Sequence, residues 1–225
     1  MRDTTHRFIP ATDPLREVFE NGRVQHPDGH YLDVKANISK TNSDTLGRFV
    51  RERRPALVVE IGMAYGISTL SILEALRENG HGRLISIDPY IGWPTGRLVA
   101  LHQIRRAGLS HLHEHLYEPS FSALPGLLGK GLRPDLIYID GCHDFDYVFV
   151  DAFLSDKLLD VGGTIAFNDA GWFPVCGVIR FLTKYRKYRE LPAGLPKVYR
   201  SRNIIFSLIK RLAGCSSSDR YLEKK

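Results

Sequence analysis

From residue 56 onward the chain repeats one pattern five times: a short run rich in apolar residues, a polar or acidic residue at its end, then an amphipathic stretch. The runs at 56–61, 83–88, 111–117, 135–140 and 163–168 have strand length, and most lack the alternation of a strand with one wet face. The stretches at 68–79, 95–107, 121–128, 144–159 and 175–189 carry apolar residues at helical spacing. Strand and helix in strict alternation confine the chain to an α/β fold, a doubly wound, mostly parallel sheet with helices on both faces. Asn79-Gly80 and Gly162-Gly163 read as helix stops. After Pro192 the pattern changes, and 197–200 and 203–209, joined by Ser201-Arg202, predict a terminal antiparallel hairpin at the sheet edge.

The 225 residues fit one domain whose core needs no staples. Residues 1–44, with Pro10, Pro14, Pro27 and the turn Pro27-Asp28-Gly29, predict an N-terminal arm or cap, through which a homo-oligomer could form. The α/β domain is expected over 45–210 and a loose tail over 211–225. Cys142, Cys176 and Cys215 are far apart and form no C-x-x-C pair, so neither a disulfide framework nor a zinc site is predicted, and a reducing, cytoplasmic setting fits. A polar N-terminus and the lack of any run near ~18 apolar residues predict no signal peptide and no membrane partner. Net charge is +6, but basic residues cluster only at 48–54 and 184–189. The first cluster reads as a helix end favoured by the dipole, the second as the solvated face of a late helix, and neither is a nucleic-acid motif.

The turn after the first run is the most specific local signal. Glu60 ends the strand, and Gly62, Met63, Ala64, Tyr65 and Gly66 lead into a helix at Ser68. Glycines at such a turn let backbone N–H groups approach a ligand, and the acid on the first strand departs from the dinucleotide pattern G-x-G-x-x-G. Glu60-x-Gly62-x-Ala64-x-Gly66 resembles the first motif of class I S-adenosylmethionine-dependent methyltransferases, (D/E)-x-G-x-G-x-G, with alanine at the middle glycine. That resemblance implies a Rossmann-like, seven-stranded sheet and S-adenosylmethionine as cofactor. It also implies that Gly62 to Gly66 cradle the cofactor and that Glu60 acts near its amino group. Asp88 matches the family's second-strand acid, which accepts hydrogen bonds from both ribose hydroxyls. Glu118-Pro119-Ser120 falls where the family often touches adenine.

In an open parallel sheet, ligands bind beyond the carboxyl ends of the strands, and here acids stand at or just after those ends: Glu60, Asp88, Glu118, Asp140 and the pair Asn168-Asp169. Ile139-Asp140-Gly141-Cys142-His143, followed by Gly162-Gly163 and then Asn168-Asp169, resembles the macrocin and mycinamicin type of small-molecule O-methyltransferase. The resemblance implies His143 as general base, Asp140 beside it, and a divalent metal such as magnesium at Asp140, Asn168 and Asp169. An alcohol attacks a sulfonium methyl in line only when its proton can leave, and a histidine or a hard cation serves that step. The implied partner is a small hydroxylated acceptor, a sugar or natural product.

His111, His113 and His115 alternate along one run but lack an acid or cysteine to complete a ligand set, and polar residues suit an edge strand. Trp93 and Trp172 follow strand ends and are expected to wall the adenine and acceptor pockets. Two other readings stay open: a protein of the same fold that binds the cofactor without methyl transfer, and a module that binds a partner or nucleic acid through the basic late helix.

Overall fold

A computed structural model describes residues 13–34, 38–199 and 203–225. The elements are α1 (Pro14–Asn21), β1 (Arg23–Gln25), β2 (Tyr31–Asp33), α2 (Lys40–Arg53), β3 (Leu57–Ile61), α3 (Ile67–Asn79), β4 (Arg83–Ile87), α4 (Pro94–Arg106), β5 (His113–Leu116), α5 (Ser120–Gly129), β6 (Leu136–Ile139), α6 (Phe145–Leu158), β7 (Thr164–Phe167), α7 (Phe173–Tyr185), β8 (Tyr188–Leu191), α8 (Ile204–Ala213) and β9 (Arg220–Lys224). β3 to β7 form a seven-stranded sheet with β8 and β9, in the order β5-β4-β3-β6-β7-β9-β8. β9 runs antiparallel to both β7 and β8, and the other pairings are parallel. The fold is therefore the expected Rossmann-like α/β sheet.

Every residue of β3, β6 and β7 is buried, which explains their lack of polar alternation. The strands divide their side chains between two cores. Val58, Leu84 and Leu136 face α2, α3 and α4, while Val59, Ile85 and Ile137 face the side covered by α5, α6 and α7. Strand order reverses between β3 and β6, so the crevice for a ligand opens at their carboxyl ends.

The N-terminal segment is packed onto the body. Val18, Val24 and Ile38 join the first core, and Arg106 of α4 grips both carboxylate oxygens of Glu17 at 2.9 and 2.8 Å. α2 runs across the boundary expected at residue 44, started by the Ser39 side chain, which accepts from Asn42 N.

Five expectations are corrected in the C-terminal half, and one at β5. Residues 204–213 form a helix, not a strand, and the antiparallel strands are β8 and β9 instead. The tail is not loose, because β9 inserts between β7 and β8. α7 stops at Tyr185, so the basic run at 184–189 is split between a helix end and an edge strand, where Arg189 pairs with Glu223. Cys176 and Cys215 form a disulfide, with Cα atoms 5.4 Å apart, that fastens the end of α8 to α7. Their separation of 39 residues concealed this until α8 folded back. Gly162 belongs to the turn entering β7, after α6 has already ended at Leu158. β5 is the sheet edge, but His111 precedes it in a 3-10 turn at Ser110–Leu112.

Candidate active site

Gly62 sits at the crevice with φ of +88°, and a Cβ built there would lie 2.2 Å from the carbonyl oxygen of Asp140. Only glycine lets the β3 turn pass this close to the end of β6. Ala64, at the family's middle glycine, also has positive φ (+47°), a conformation costly for an L-residue. Asp88 holds it there. Its Oδ2 accepts from Met63 N at 2.9 Å and Ala64 N at 3.0 Å, its Oδ1 accepts from Tyr90 N at 2.8 Å, and the Tyr90 hydroxyl donates to Ala64 O. Asp88 is thus a latch on the glycine turn, reached from the neighbouring strand.

A cleft of about 250 Å³ opens beneath this turn. It is lined by Gly62, Met63, Ala64, Tyr65, Ile67 and Ser68 on one side, by Asp140, His143, Asn168 and Asp169 on the other, and by Ile38. The structure therefore brings the first motif and the second motif to one cavity. No lysine or arginine is among these residues. A larger hollow of about 600 Å³, between residues 190–199 and 214–220, shares none of them.

His143 carries the distinctive geometry of the cleft. Its ring stacks on Trp172 at 5.4 Å, and Nε2 lies 3.3 Å from Asp169 Oδ2 and 4.0 Å from Asp140 Oδ1. Nε2 is buried yet makes no hydrogen bond to the described residues. Burial and the neighbouring Asp219, Asp169 and Glu60 charges raise the Asp140 pKa well above the usual carboxylate range. Asp169 has φ of +49°, a strained backbone at the point where its side chain meets His143.

Asn168 is oriented from below by residues that sequence reasoning missed. Its amide nitrogen donates to Asp219 Oδ1 at 3.0 Å and to the Tyr138 hydroxyl at 3.1 Å. Asp219 also accepts from Asn42 and from Tyr138, and burial raises its pKa to about 7. With the amide nitrogen so engaged, the amide oxygen is the atom of Asn168 left to meet a ligand. The only hint in the sequence was the position of Asp219 at the head of the short run that became β9.

Glu60 does not line the cleft. It is fully buried, and it accepts from Ser68 Oγ, Thr69 Oγ1 and Ser86 Oγ at 2.6 to 2.7 Å. Burial raises its pKa to about 7, against the lowering effect of those three donors. Through these three hydroxyls Glu60 ties β3, α3 and β4 together. His113 continues the network to Ser86 Oγ at 3.0 Å, and its own burial pushes its pKa down to about 4, leaving a neutral ring.

Glu118 and Ser120 also lie outside the cleft. Glu118 accepts from Ser122 Oγ, and Ser120 borders a separate hollow with Phe121 and Asp151. Trp93 packs edge-on against Tyr65 of the glycine turn at 4.7 Å. Among the described residues, the one trio of potential metal-ligating acids and histidines gathered within 4.8 Å is His26, Asp28 and His30, on the β1–β2 turn.

Residues 59–170 match the family model described as methyltransferase domain. The match covers just under half of the chain. It contains the glycine turn, Asp88, Asp140, His143, Asn168 and Asp169, and leaves out Asp219 and β9. Tapetum-specific methyltransferase 1 of Arabidopsis thaliana is 29% identical over 152 residues, 67% of this chain and 58% of that protein. The chain spans little more than half the length of the curated relatives it matches, 54% and 58%. Among solved structures, the O-methyltransferase from Bacillus cereus in complex with SAH has a TM-score of 0.66 at 17% identity, covering 97% of this chain and 94% of that one. SAH-bound Podospora anserina methyltransferase PaMTH1 has a TM-score of 0.68 at 17% identity, over 95% and 88%. These are likenesses of fold, and they extend over nearly the whole of the chain.

Proposed function

We propose that the protein transfers a methyl group from S-adenosylmethionine to a hydroxyl oxygen of a small molecule, a sugar or natural product. The observation that carries this reading is the convergence of the glycine turn with Asp140, His143 and Asp169 in one cleft, with no lysine or arginine among the described residues that line it. Such a cleft suits a ligand carrying a sulfonium and an ammonium, since carboxylates attract both. Asp88 stands beside the turn, where it can exchange backbone partners for the vicinal diol of a ribose.

The acceptor hydroxyl is proposed to meet His143 Nε2, a buried nitrogen that makes no hydrogen bond to the described residues. Nε2 takes the proton as oxygen attacks the methyl carbon in line, and the Asp169 carboxylate at 3.3 Å stabilises the imidazolium that results. Trp172, stacked on the ring, fixes its plane and forms one wall for the acceptor. Asp140, Asn168 and Asp169 offer oxygen donors of the kind a hard divalent cation takes, and its charge would offset the burial and the neighbouring acids that raise the Asp140 pKa. Such an ion would lower the pKa of the acceptor hydroxyl.

Calorimetric titration with S-adenosylmethionine and with its demethylated product, in the presence and absence of magnesium, tests the cofactor. Micromolar binding is expected, followed by methylation of hydroxylated acceptors; absence of binding to either compound rejects the reading. Activity insensitive to chelator removes the metal and leaves His143 to act alone.

A further inference from the structure

α8 is built inside out. Ile204, Ile205, Phe206, Leu208, Ile209 and Leu212 are all exposed, with Ile204 at 87%, Leu212 at 80% and Ile205 at 67%. The residues of this helix that are half-buried against the protein are Ser207, Lys210 and Ala213, one turn apart on a single stripe. With about 3.6 residues per turn, Ile204, Ile205, Leu208, Ile209 and Leu212 fill the opposite side, Arg211 borders it, and Phe206 lies nearer the half-buried stripe that holds Lys210. A ten-residue helix presenting that face to water is unfavourable by the hydrophobic effect, so the face is made to be covered.

Charge identifies the cover. Between Leu191 and Ser218 the sequence holds Lys197, Arg200, Arg202, Lys210 and Arg211 and no aspartate or glutamate. We propose that α8 seats the protein on an anionic lipid surface, its apolar face entering the headgroup boundary and the flanking cations meeting lipid phosphates. The helix lies in the interface; no helix among the described residues is long and apolar enough to cross a membrane. A second copy fits less well, because two such segments, each with cations and no acid, would bring like charges together. The Cys176–Cys215 disulfide and Gly214, which ends the helix with φ of +69°, hold α8 to the body while its face stays outward. The proposal does not depend on the methyl-transfer reading.

The test is flotation of the full chain with vesicles of phosphatidylcholine alone and with phosphatidylglycerol added, at low and high salt. Binding is expected to the anionic vesicles, about tenfold or more above the neutral ones, and to weaken with salt. Ile205→Ser with Leu208→Ser is expected to abolish it without lowering Tm, because neither side chain is buried, and Arg211→Glu to weaken it. Failure of the wild-type chain to float with anionic vesicles overturns the proposal. So does a lipid-free dimer by light scattering that Ile205→Ser with Leu208→Ser dissolves, since a second copy would then be the cover.

Discussion

At the scale of single residues, the cleft depends on side chains that hold other groups in place as much as on those that face a ligand. Asp88 bonds two N–H groups of the glycine turn, one of them from Ala64 in its unfavourable left-handed conformation. Asp88→Ala is expected to weaken S-adenosylmethionine about 10- to 100-fold by calorimetry, through loss of ribose acceptors and loosening of the turn. An unchanged Kd would remove Asp88 from both roles. His143→Ala is expected to lower kcat about 10²- to 10⁴-fold while leaving cofactor affinity alone, and full activity would show that another group takes the proton. His143 and Asp140 were legible in the sequence because their spacing is local and their strand end is easily located. The hydroxyl partners of Glu60 were not legible, because Ser68, Thr69 and Ser86 reach it only after β3, α3 and β4 have packed.

At the scale of elements, close approach of backbones decides which substitutions the fold accepts. Gly62→Ala places a methyl group against Asp140 O at a position with positive φ, and an expected loss of about 2–4 kcal/mol should appear in denaturant unfolding. Wild-type stability in that variant would mean that the ends of β3 and β6 can part. Cys176→Ser with Cys215→Ser removes the covalent tie between α7 and α8, with an expected cost of about 2–4 kcal/mol in the oxidised protein. Equal melting of the two proteins under oxidising conditions would show that the link carries no stability. The five strand–helix units could be read from their periodicity. The terminal hairpin could not, since the 203–209 run of Ile, Phe and Leu suits strand and helix equally, and the choice was made by the Asn203 cap, whose side chain accepts from Ile205 N, and by the Gly214 stop.

For the whole molecule, buried acids govern the response to pH. Burial raises the pKa of Glu60 and of Asp219 to about 7, above their unfolded values, so the native state holds these protons more tightly than the unfolded chain. The resulting stability is present in full below the unfolded pKa values and is lost as pH rises through about 7. Chemical unfolding from pH 4 to 8 is therefore expected to show a decline on the order of a few kcal/mol, which Glu60→Gln should flatten. A slope unaffected by Glu60→Gln would assign the effect to other groups. Removal of residues 219–225 is expected to leave an insoluble chain, because β9 bridges β7 and β8 and Asp219 anchors Asn168.

The sequence by itself determined the parallel α/β sheet, the glycine turn and the side chains of the second motif, because strand and helix periods and short motifs are set by neighbours along the chain. Only the tertiary structure decided the place of β9, the pairing of Cys176 with Cys215, the support of Asn168 by Asp219 and the outward apolar face of α8. Each of these is a contact or exposure set by residues distant in sequence, and no local pattern encodes which surfaces meet.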